Sequence, residues 1–188
     1  PENILTHNIY GLDIDDRAKQ LSILSAMLIA RERDKDIWSK DITLNITSVA
    51  ESNGMSSLPE LLKGASKDTA EYLLDTFRDA KEYGSILRVK SQNYTDLQSQ
   101  LEELSPIEKP LYYAKTKQLI HQADILSRKY TIAVTNPPYM NKYDTKLKSY
   151  IGTNYPESKS DLFAVFMEVL VNQISDGGYM GMINPDSW

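Results

Sequence analysis

Four consecutive residues, Asn136, Pro137, Pro138 and Tyr139, combine groups that could activate an amino group. Proline fixes φ and has no N–H, so the two prolines form a rigid turn with few donors. The Pro137 carbonyl and the Asn136 side-chain oxygen can then accept the two hydrogens of an exocyclic NH₂ group, which turns its nitrogen lone pair toward an electrophile. Tyr139 offers an aromatic face on which a base can stack, an interaction worth about 1–3 kcal/mol. Stacking of this size offsets part of the cost of flipping a nucleotide out of a duplex.

A strand must hold this motif in place, and residues 131–135 predict one because they are mostly apolar and β-branched. Open α/β sheets bind their ligands beyond the carboxyl ends of the strands, which is where the motif would then stand. The alternative is a plain proline turn with a structural tyrosine. The preceding apolar strand, and a separate strand that ends in acids near Asp13, favour the chemical interpretation.

The upstream part of the chain predicts two further strands with a helix between them. Residues 9–15 indicate a short buried strand that ends in acids, and Asp15 or Asp16 is placed to cap the helix that follows. That helix continues to about Arg33, with a predicted core-facing stripe at helical spacing formed by Ala18, Leu21, Leu24 and Leu28. Residues 43–50 predict the second strand, which the turn formers at 51–54 terminate.

Helical periodicity recurs at 59–83, 111–128 and 161–174, and Gly177-Gly178 is predicted to turn the chain into a last strand at 179–183. Strands that alternate with helices predict an α/β fold with a mostly parallel sheet. The stretch 59–110 is too long for one crossover connection and predicts a helical insertion. We therefore expect a core that begins at 1–58, is interrupted by the insertion at 59–110, and continues through 111–188 with the tetrapeptide.

The composition excludes several kinds of site. The chain of 188 residues has no cysteine, which excludes disulfides, thiolate metal ligands and cysteine nucleophiles. Its two histidines, His7 and His121, are isolated, so we expect no metal site and no serine–histidine triad. No apolar window is long enough to span a membrane, and we expect a cytoplasmic protein without a membrane partner. The net charge of −5 argues that the segment does not grip DNA by itself, because non-specific DNA affinity comes mostly from basic side chains.

Three segments carry a resemblance to a known family. The tetrapeptide is the hallmark of amino-group methyltransferases that use S-adenosylmethionine. Through residues 9–18, 135–140 and 158–166, the chain more narrowly resembles the BREX-type, PglX-like defence methyltransferases, and the type IIG restriction-modification enzymes are similar. The resemblance implies a Rossmann-like methyltransferase fold and methyl transfer from S-adenosylmethionine to N6 of a flipped adenine in double-stranded DNA.

The resemblance also implies which residues hold the cofactor. Asp13 matches the family's acid that hydrogen-bonds the ribose hydroxyls of S-adenosylmethionine, and helix capping is its alternative role. Glu51, or Asn53 beside it, falls near the position that contacts the cofactor adenine. Asp124 is a rival match for that position, but its helical surroundings favour a solvated helix face.

For catalysis, residues 136–139 match the family motif position for position. Lys159 and Asp161 would orient the catalytic loop or cap the next helix, and capping is the expected role of Asp161. Thr131 stands where the family often has an aspartate.

The family's glycine-rich first motif, which should precede the Asp13 strand, does not appear in this sequence. We therefore expect an internal piece of a catalytic domain, a partial Rossmann-like fold in which the first and last strands are missing. Such a piece would bind cofactor weakly or not at all and be inactive alone. Three arrangements of the Asp13 strand and the strand before Asn136 are then open. The two strands pair directly, a gap remains between them, or a second copy in a homodimer supplies the strand between them.

Two other functions fit the same residues. The amino group could belong to a protein glutamine or to an RNA base, since the motif chemistry would be the same. The segment could also be a non-catalytic scaffold within a defence complex, which the acidic charge favours. The long insertion and the match at 158–161 favour DNA, reached through the full-length protein, with other defence-system subunits as further partners.

Overall fold

Two pairs of parallel strands carry the two segments that the sequence singles out. In the computed structural model, which describes residues 1–138 and 144–183, β1 (Tyr10–Asp13) pairs with β2 (Asn45–Ser48), and β3 (Tyr130–Thr135) pairs with β4 (Ile174–Met182). Each pair forms a two-stranded sheet of its own. The expected mixed α/β class with parallel strand pairing is confirmed, in the form of two small sheets.

The sheets belong to two compact units. The first unit comprises Pro1–Ser85 and Asn93–Ile125, and the second comprises Ile86–Gln92 with the chain from Leu126 onward. Among the residues that the structure describes, six α-helices begin in the first unit and two lie in the second. In chain order they are α1 (Glu2–His7), α2 (Asp16–Arg33), α3 (Ala65–Thr76), α4 (Ala80–Tyr83), α5 (Thr95–Glu102), α6 (Lys109–Ser127), α7 (Thr145–Asn154) and α8 (Leu162–Gln173).

In the first unit, α2 crosses from β1 to β2 and packs on their sheet. Asp15 caps this helix, because its side chain accepts a hydrogen bond from the Arg17 N–H at 2.8 Å. A small core joins α1, α2 and β2 through buried apolar side chains, namely Leu5, Met27, Ala30, Ile37 and Leu44. Of the two predicted caps, Asp15 is therefore the one used.

The predicted core face of α2 is wrong. Leu21, Leu24 and Leu28 are 64%, 46% and 49% exposed, whereas Met27 and Ala30 on the other side of the helix are buried. The helix has two apolar stripes at helical spacing, and sequence periodicity alone cannot tell which of them faces a sheet only two strands wide.

The predicted helix at 59–83 is broken into a 3₁₀ turn (Leu58–Leu61), α3 and α4. Two residues with positive φ separate these pieces, Gly64 at 56° and Asp79 at 52°. Gly84 ends α4 as its C-terminal cap with φ at 58°, a conformation that glycine adopts without strain. The predicted insertion at 59–110 contains α3, α4 and α5, and its boundaries stay a prediction.

In the second unit, α8 covers the β3–β4 sheet with five buried apolar side chains, Leu162, Val165, Phe166, Val169 and Leu170. Asp161 accepts a hydrogen bond from the Phe163 N–H at 2.8 Å, which confirms its capping role. The segment Ile86–Gln92 is held by Arg88, whose guanidinium lies 4.4 Å from the Tyr155 ring centre and donates to Glu168 at 2.6 Å.

The last strand starts earlier than predicted, because β4 follows α8 directly at Ile174. Tyr130 lies opposite Ile174, but Ile132 lies opposite Tyr179, so β4 bulges before the regular pairing begins. Gly178 lies in this bulge, and a Cβ atom there would lie 2.8 Å from the Thr131 oxygen and 2.9 Å from the Ser175 oxygen. Both neighbours are main-chain atoms, so the added carbon could be accommodated only by moving strand backbone.

We predict that Gly178→Ala destabilises the protein by about 1–3 kcal/mol, as expected for overpacking against backbone. Gly152→Ala is the matched control, because it lies in α7 and its Cβ would meet no atom within 4 Å. That substitution should stabilise the helix by up to about 1 kcal/mol. Urea unfolding of the two variants measures both effects, and a Gly178→Ala protein as stable as Gly152→Ala would contradict the bulge geometry.

Candidate functional site

The carboxyl end of β1 presents Asp13 on an exposed turn. The main-chain oxygen of Asp13 accepts a hydrogen bond from the Val49 N–H at 2.8 Å, which continues the pairing with β2. Its side-chain Oδ1 accepts from the Asp15 N–H at 2.9 Å. Among the described residues, Oδ2 of Asp13 has no hydrogen-bond donor. Asp15 is the helix cap, so the Asp13 carboxylate is not needed for capping.

Asp16, the first residue of α2, ties this turn to β2. Its Oδ1 accepts a hydrogen bond from the Ser48 hydroxyl at 2.5 Å, and Ser48 is buried. This hydrogen bond holds the pKa of Asp16 below its ordinary value. Three acids within four residues therefore have separate tasks: Asp13 faces outward, Asp15 caps, and Asp16 anchors.

A cavity of about 710 Å³ lies beside β1 and α2. Asp13 contributes the carboxylate of its lining, and one face of α2 contributes Lys19, Ser22 and Ala26. Most of the remaining wall is apolar. Small-molecule sites are commonly clefts of this size with apolar walls and a few polar groups that orient the ligand. The sequence prediction missed Lys19 and Ser22, although their spacing with Ala26 places them on one helix face that begins beside the acids.

Glu51 lies just beyond the carboxyl end of β2. Its Oε1 accepts a hydrogen bond from the Lys81 N–H at 3.1 Å, at the start of α4. Asn53 forms two hydrogen bonds with Asp79, one through each end of its side-chain amide. Because β1 and β2 are parallel and Asp13 lies opposite Ser48, the structure brings Asp13 and Glu51 to the same edge of one sheet. Asp124 lies inside α6, as its helical surroundings predict.

In the second unit, the tetrapeptide follows β3 directly. Asn136 and Pro138 are exposed and Pro137 is buried, and Tyr139 lies outside the described residues. The Thr135 oxygen accepts a hydrogen bond from the Ile183 N–H at 3.3 Å, so the strand remains paired up to the motif. The predicted placement of Asn136 at the carboxyl end of a parallel strand is therefore observed, while its catalytic role stays a prediction.

The two units differ in charge. The segments of the second unit contain eight Lys and Arg against six Asp and Glu, and those of the first contain thirteen against twenty. The acidic net charge of the chain therefore comes from the first unit. The unit with the tetrapeptide is weakly basic by itself.

Comparison with known proteins identifies the family. The model of the Eco57I restriction-modification methylases matches residues 7–188. The chain belongs to the Eco57I restriction-modification methylase family. The resemblance to restriction-modification and defence methyltransferases that the motifs predict is thus confirmed.

Two relatives of this Eco57I-family chain are similar over its whole length. It is 33% identical to adenine-specific methyltransferase BrxX of Escherichia coli O9:H4 (strain HS) and 31% identical to adenine-specific methyltransferase PglX of Lacticaseibacillus casei (strain Zhang). The chain spans 18% and 17% of the lengths of these relatives.

The described part of this Eco57I-family chain contains no cluster of three or more histidines and acids that could hold a metal ion. Within residues 1–138 and 144–183, no helix is both long enough and apolar enough to cross a membrane.

We predict that Ser48→Ala raises the pKa of Asp16 toward its ordinary value, because the hydroxyl that stabilises the ionised form is lost. A carboxylate whose pKa is depressed in the folded state contributes stability above its unfolded pKa, and this stability is lost as pH falls through the folded pKa. The variant should therefore lose less stability in that acid range than the native protein does.

The measurement is an NMR pH titration of the Asp16 carboxyl carbon. Ser22→Ala is the control, because Ser22 is also on α2 but donates its hydrogen bond to the Ala18 oxygen. An Asp16 titration that is unchanged in Ser48→Ala would contradict the anchoring role.

Proposed function

We propose that this chain forms part of a Rossmann-like catalytic domain that transfers a methyl group from S-adenosylmethionine to N6 of adenine in double-stranded DNA. The observation that carries the proposal is the position of Asn136-Pro137-Pro138 at the carboxyl end of the parallel strand β3, in a member of the Eco57I restriction-modification methylase family. The names of the two relatives, both adenine-specific methyltransferases, favour adenine as the base.

In this proposal the first unit holds the cofactor. Asp13 accepts hydrogen bonds from the ribose hydroxyls, because its carboxylate is exposed and a diol supplies two donors. Glu51, or Asn53 beside it, lies against the cofactor adenine. The cavity supports this assignment, since Asp13 is among its lining residues and most of the others are apolar. When bound, the cofactor supplies an electrophilic methyl group on a sulfonium.

The tetrapeptide prepares the substrate amino group. Asn136 Oδ1 and the Pro137 carbonyl accept the two amino hydrogens, which raises the electron density on the nitrogen and directs its lone pair outward. Pro138 cannot donate a main-chain N–H at this turn, and Tyr139 stacks on the flipped base. Methyl transfer would break the bond between the methyl carbon and the sulfonium sulfur and leave an uncharged thioether. The methylated nitrogen would then release one proton to water, since the motif contains no charged side chain.

The proposed domain organisation is a methyltransferase core at 1–58 and 111–188 interrupted by the helical insertion at 59–110. The DNA duplex and any further subunits of a restriction-modification or phage-defence system are reached through the full-length cytoplasmic protein. The excess of basic residues in the second unit favours DNA at the tetrapeptide over an uncharged substrate.

The test supplies the full-length protein with S-adenosylmethionine labelled in its methyl group and with duplex DNA, and identifies the labelled nucleoside after digestion. We expect N6-methyladenine. Asn136→Ala should lower the single-turnover rate by about 100-fold or more, as does the loss of one oriented polar group in other active sites, while cofactor affinity stays within about 2-fold. N4-methylcytosine as the labelled nucleoside would contradict the proposal. So would unlabelled DNA if parallel reactions with RNA or with protein gave labelled RNA or a labelled protein glutamine.

Asn172→Ala is the matched control for the rate measurement. Asn172 is an exposed asparagine of the same unit, on α8, and its main-chain oxygen accepts a hydrogen bond from the Lys129 side chain. Truncating its side chain should leave the rate unchanged. Equal losses in Asn136→Ala and Asn172→Ala would remove the reason for assigning Asn136 to catalysis.

A further inference from the structure

The first residues after β2 form their hydrogen bonds with helices. We call residues 50–53 the 50–53 loop. The Val49 N–H points toward β1, where it donates to the Asp13 oxygen. Because main-chain groups alternate in direction along a strand, those of Ser48 and Ala50 point to the side of β2 that faces away from β1. There the Ala50 N–H donates to Gln122 Oε1 at 2.8 Å, and Gln122 Nε2 donates to the Ala50 oxygen at 2.9 Å.

Gln118, one helical turn before Gln122 on α6, completes this edge. Its Nε2 donates to the Ser48 oxygen at 3.4 Å. Two glutamines at an i, i+4 spacing thus satisfy main-chain groups that a further strand would otherwise pair. Gln122 is 1% exposed, so the groups that it bonds have no access to water as an alternative partner.

The bonding continues past the end of the strand. The Ser52 N–H donates to the Phe77 oxygen at 3.0 Å, and the Ser52 hydroxyl donates to the Leu74 oxygen at 2.5 Å. Ser52 is 6% exposed. Leu74 lies on α3 and Phe77 directly follows it, so the predicted insertion supplies both acceptors.

Asn53 is held from two sides. Its Nδ2 donates to Asp79 Oδ1 at 3.1 Å, and its Oδ1 accepts from the Asp79 N–H at 3.3 Å. Lys115 of α6 donates to the Asn53 main-chain oxygen at 2.8 Å. Asp79 itself has φ at 52°, a conformation that Asp adopts more readily than most residues. Glu51 in turn accepts the hydrogen bond from the Lys81 N–H. Every residue of the 50–53 loop is therefore hydrogen-bonded to a helix or to a residue at a helix end.

Covering an edge strand would explain the bonds to Ser48 and Ala50, but it would not explain those to Glu51, Ser52 and Asn53, which lie beyond β2. A short loop that leaves a strand is ordinarily mobile and bonded to water. This one lies at the same sheet edge as Asp13, and its conformation is set by α3, α4 and α6. The arrangement fixes the shape of a loop next to the proposed ribose site.

We propose that the helical insertion, together with Gln122 of α6, positions the 50–53 loop so that it recognises the adenine base of the cofactor. Gln122 is a positioning residue in this account, since it acts through Ala50 and touches no ligand. The inference rests on the proposed cofactor site, and it gives the insertion a role within the cofactor-binding unit.

The test compares two ligands of the full-length protein, S-adenosylhomocysteine and S-inosylhomocysteine, in which a carbonyl oxygen replaces the 6-amino group. A correctly shaped loop should favour the adenosine ligand by about 10-fold or more, the effect of one hydrogen bond. Gln122→Ala should reduce this preference to about 2-fold or less, because the loop loses the two hydrogen bonds that fix Ala50 at its start.

Thr116→Ala is the matched control. Thr116 is as buried as Gln122 and lies on the same helix, but its hydroxyl donates to the Tyr112 oxygen within α6. The Thr116→Ala variant should therefore be less stable than the native protein but keep the preference for the adenosine ligand. Asp79→Gly is a second variant, which retains the positive φ without strain. It removes the carboxylate that accepts from Asn53 Nδ2 and keeps the main-chain N–H that donates to Asn53 Oδ1. It should also lower the preference, even if Gln122→Ala does not fold.

The outcomes separate the inference from the proposed function. A native protein that binds neither ligand contradicts the cofactor site itself. A native protein that binds both ligands equally, or a preference that Gln122→Ala and Asp79→Gly leave unchanged, overturns the positioning role alone. A preference that is lost equally in Thr116→Ala also overturns it, because the effect would then follow from general destabilisation.

Discussion

The parallel pairing of β1 with β2 is the constraint on which the proposed cofactor site depends. Parallel strands bring their carboxyl ends to one edge, and here the Val49 N–H extends the ladder to the main chain of Asp13. The Asp16–Ser48 hydrogen bond then fixes the start of α2 against the end of β2. Asp13 is thereby presented on a turn whose neighbouring acids are already bonded, and only one oxygen of its own carboxylate is used within the turn.

The tetrapeptide likewise follows the carboxyl end of a paired parallel strand, β3. Pairing with β4 continues to Thr135, and the bulge around Gly178 lets β4 begin directly after α8 and still reach register with β3. Asn136 is therefore the first residue beyond a paired strand, and the prolines that follow restrict its surroundings further. In both units the residues expected to do chemistry lie at or just beyond the carboxyl end of a paired parallel strand.

The sequence predicts features whose causes are local. Asp15 and Asp161 cap helices because each precedes an apolar helical segment, and the strand before Asn136 is apparent from its β-branched residues. Features that depend on distant partners could not be predicted. Gln122 bonds Ala50 across 72 positions of the chain, and no local pattern distinguishes it from a solvated glutamine on α6. The buried face of α2 was missed for a related reason, since only the position of the narrow sheet decides which apolar stripe is covered.

Calorimetric titration of S-adenosylhomocysteine into Asp13→Ala and Asp15→Ala forms of the full-length protein tests the central claim most directly. The two acids are two residues apart, but Asp15 caps α2 whereas Asp13 ends β1 and lines the cavity. Asp13→Ala should raise the dissociation constant by about 10-fold or more, because the ribose hydroxyls lose a charged acceptor. Asp15→Ala should lower the free energy of unfolding by about 0.5–2 kcal/mol and leave the dissociation constant within about 2-fold. Native affinity in Asp13→Ala, or equal weakening in both variants, would contradict the assignment of Asp13 to the cofactor.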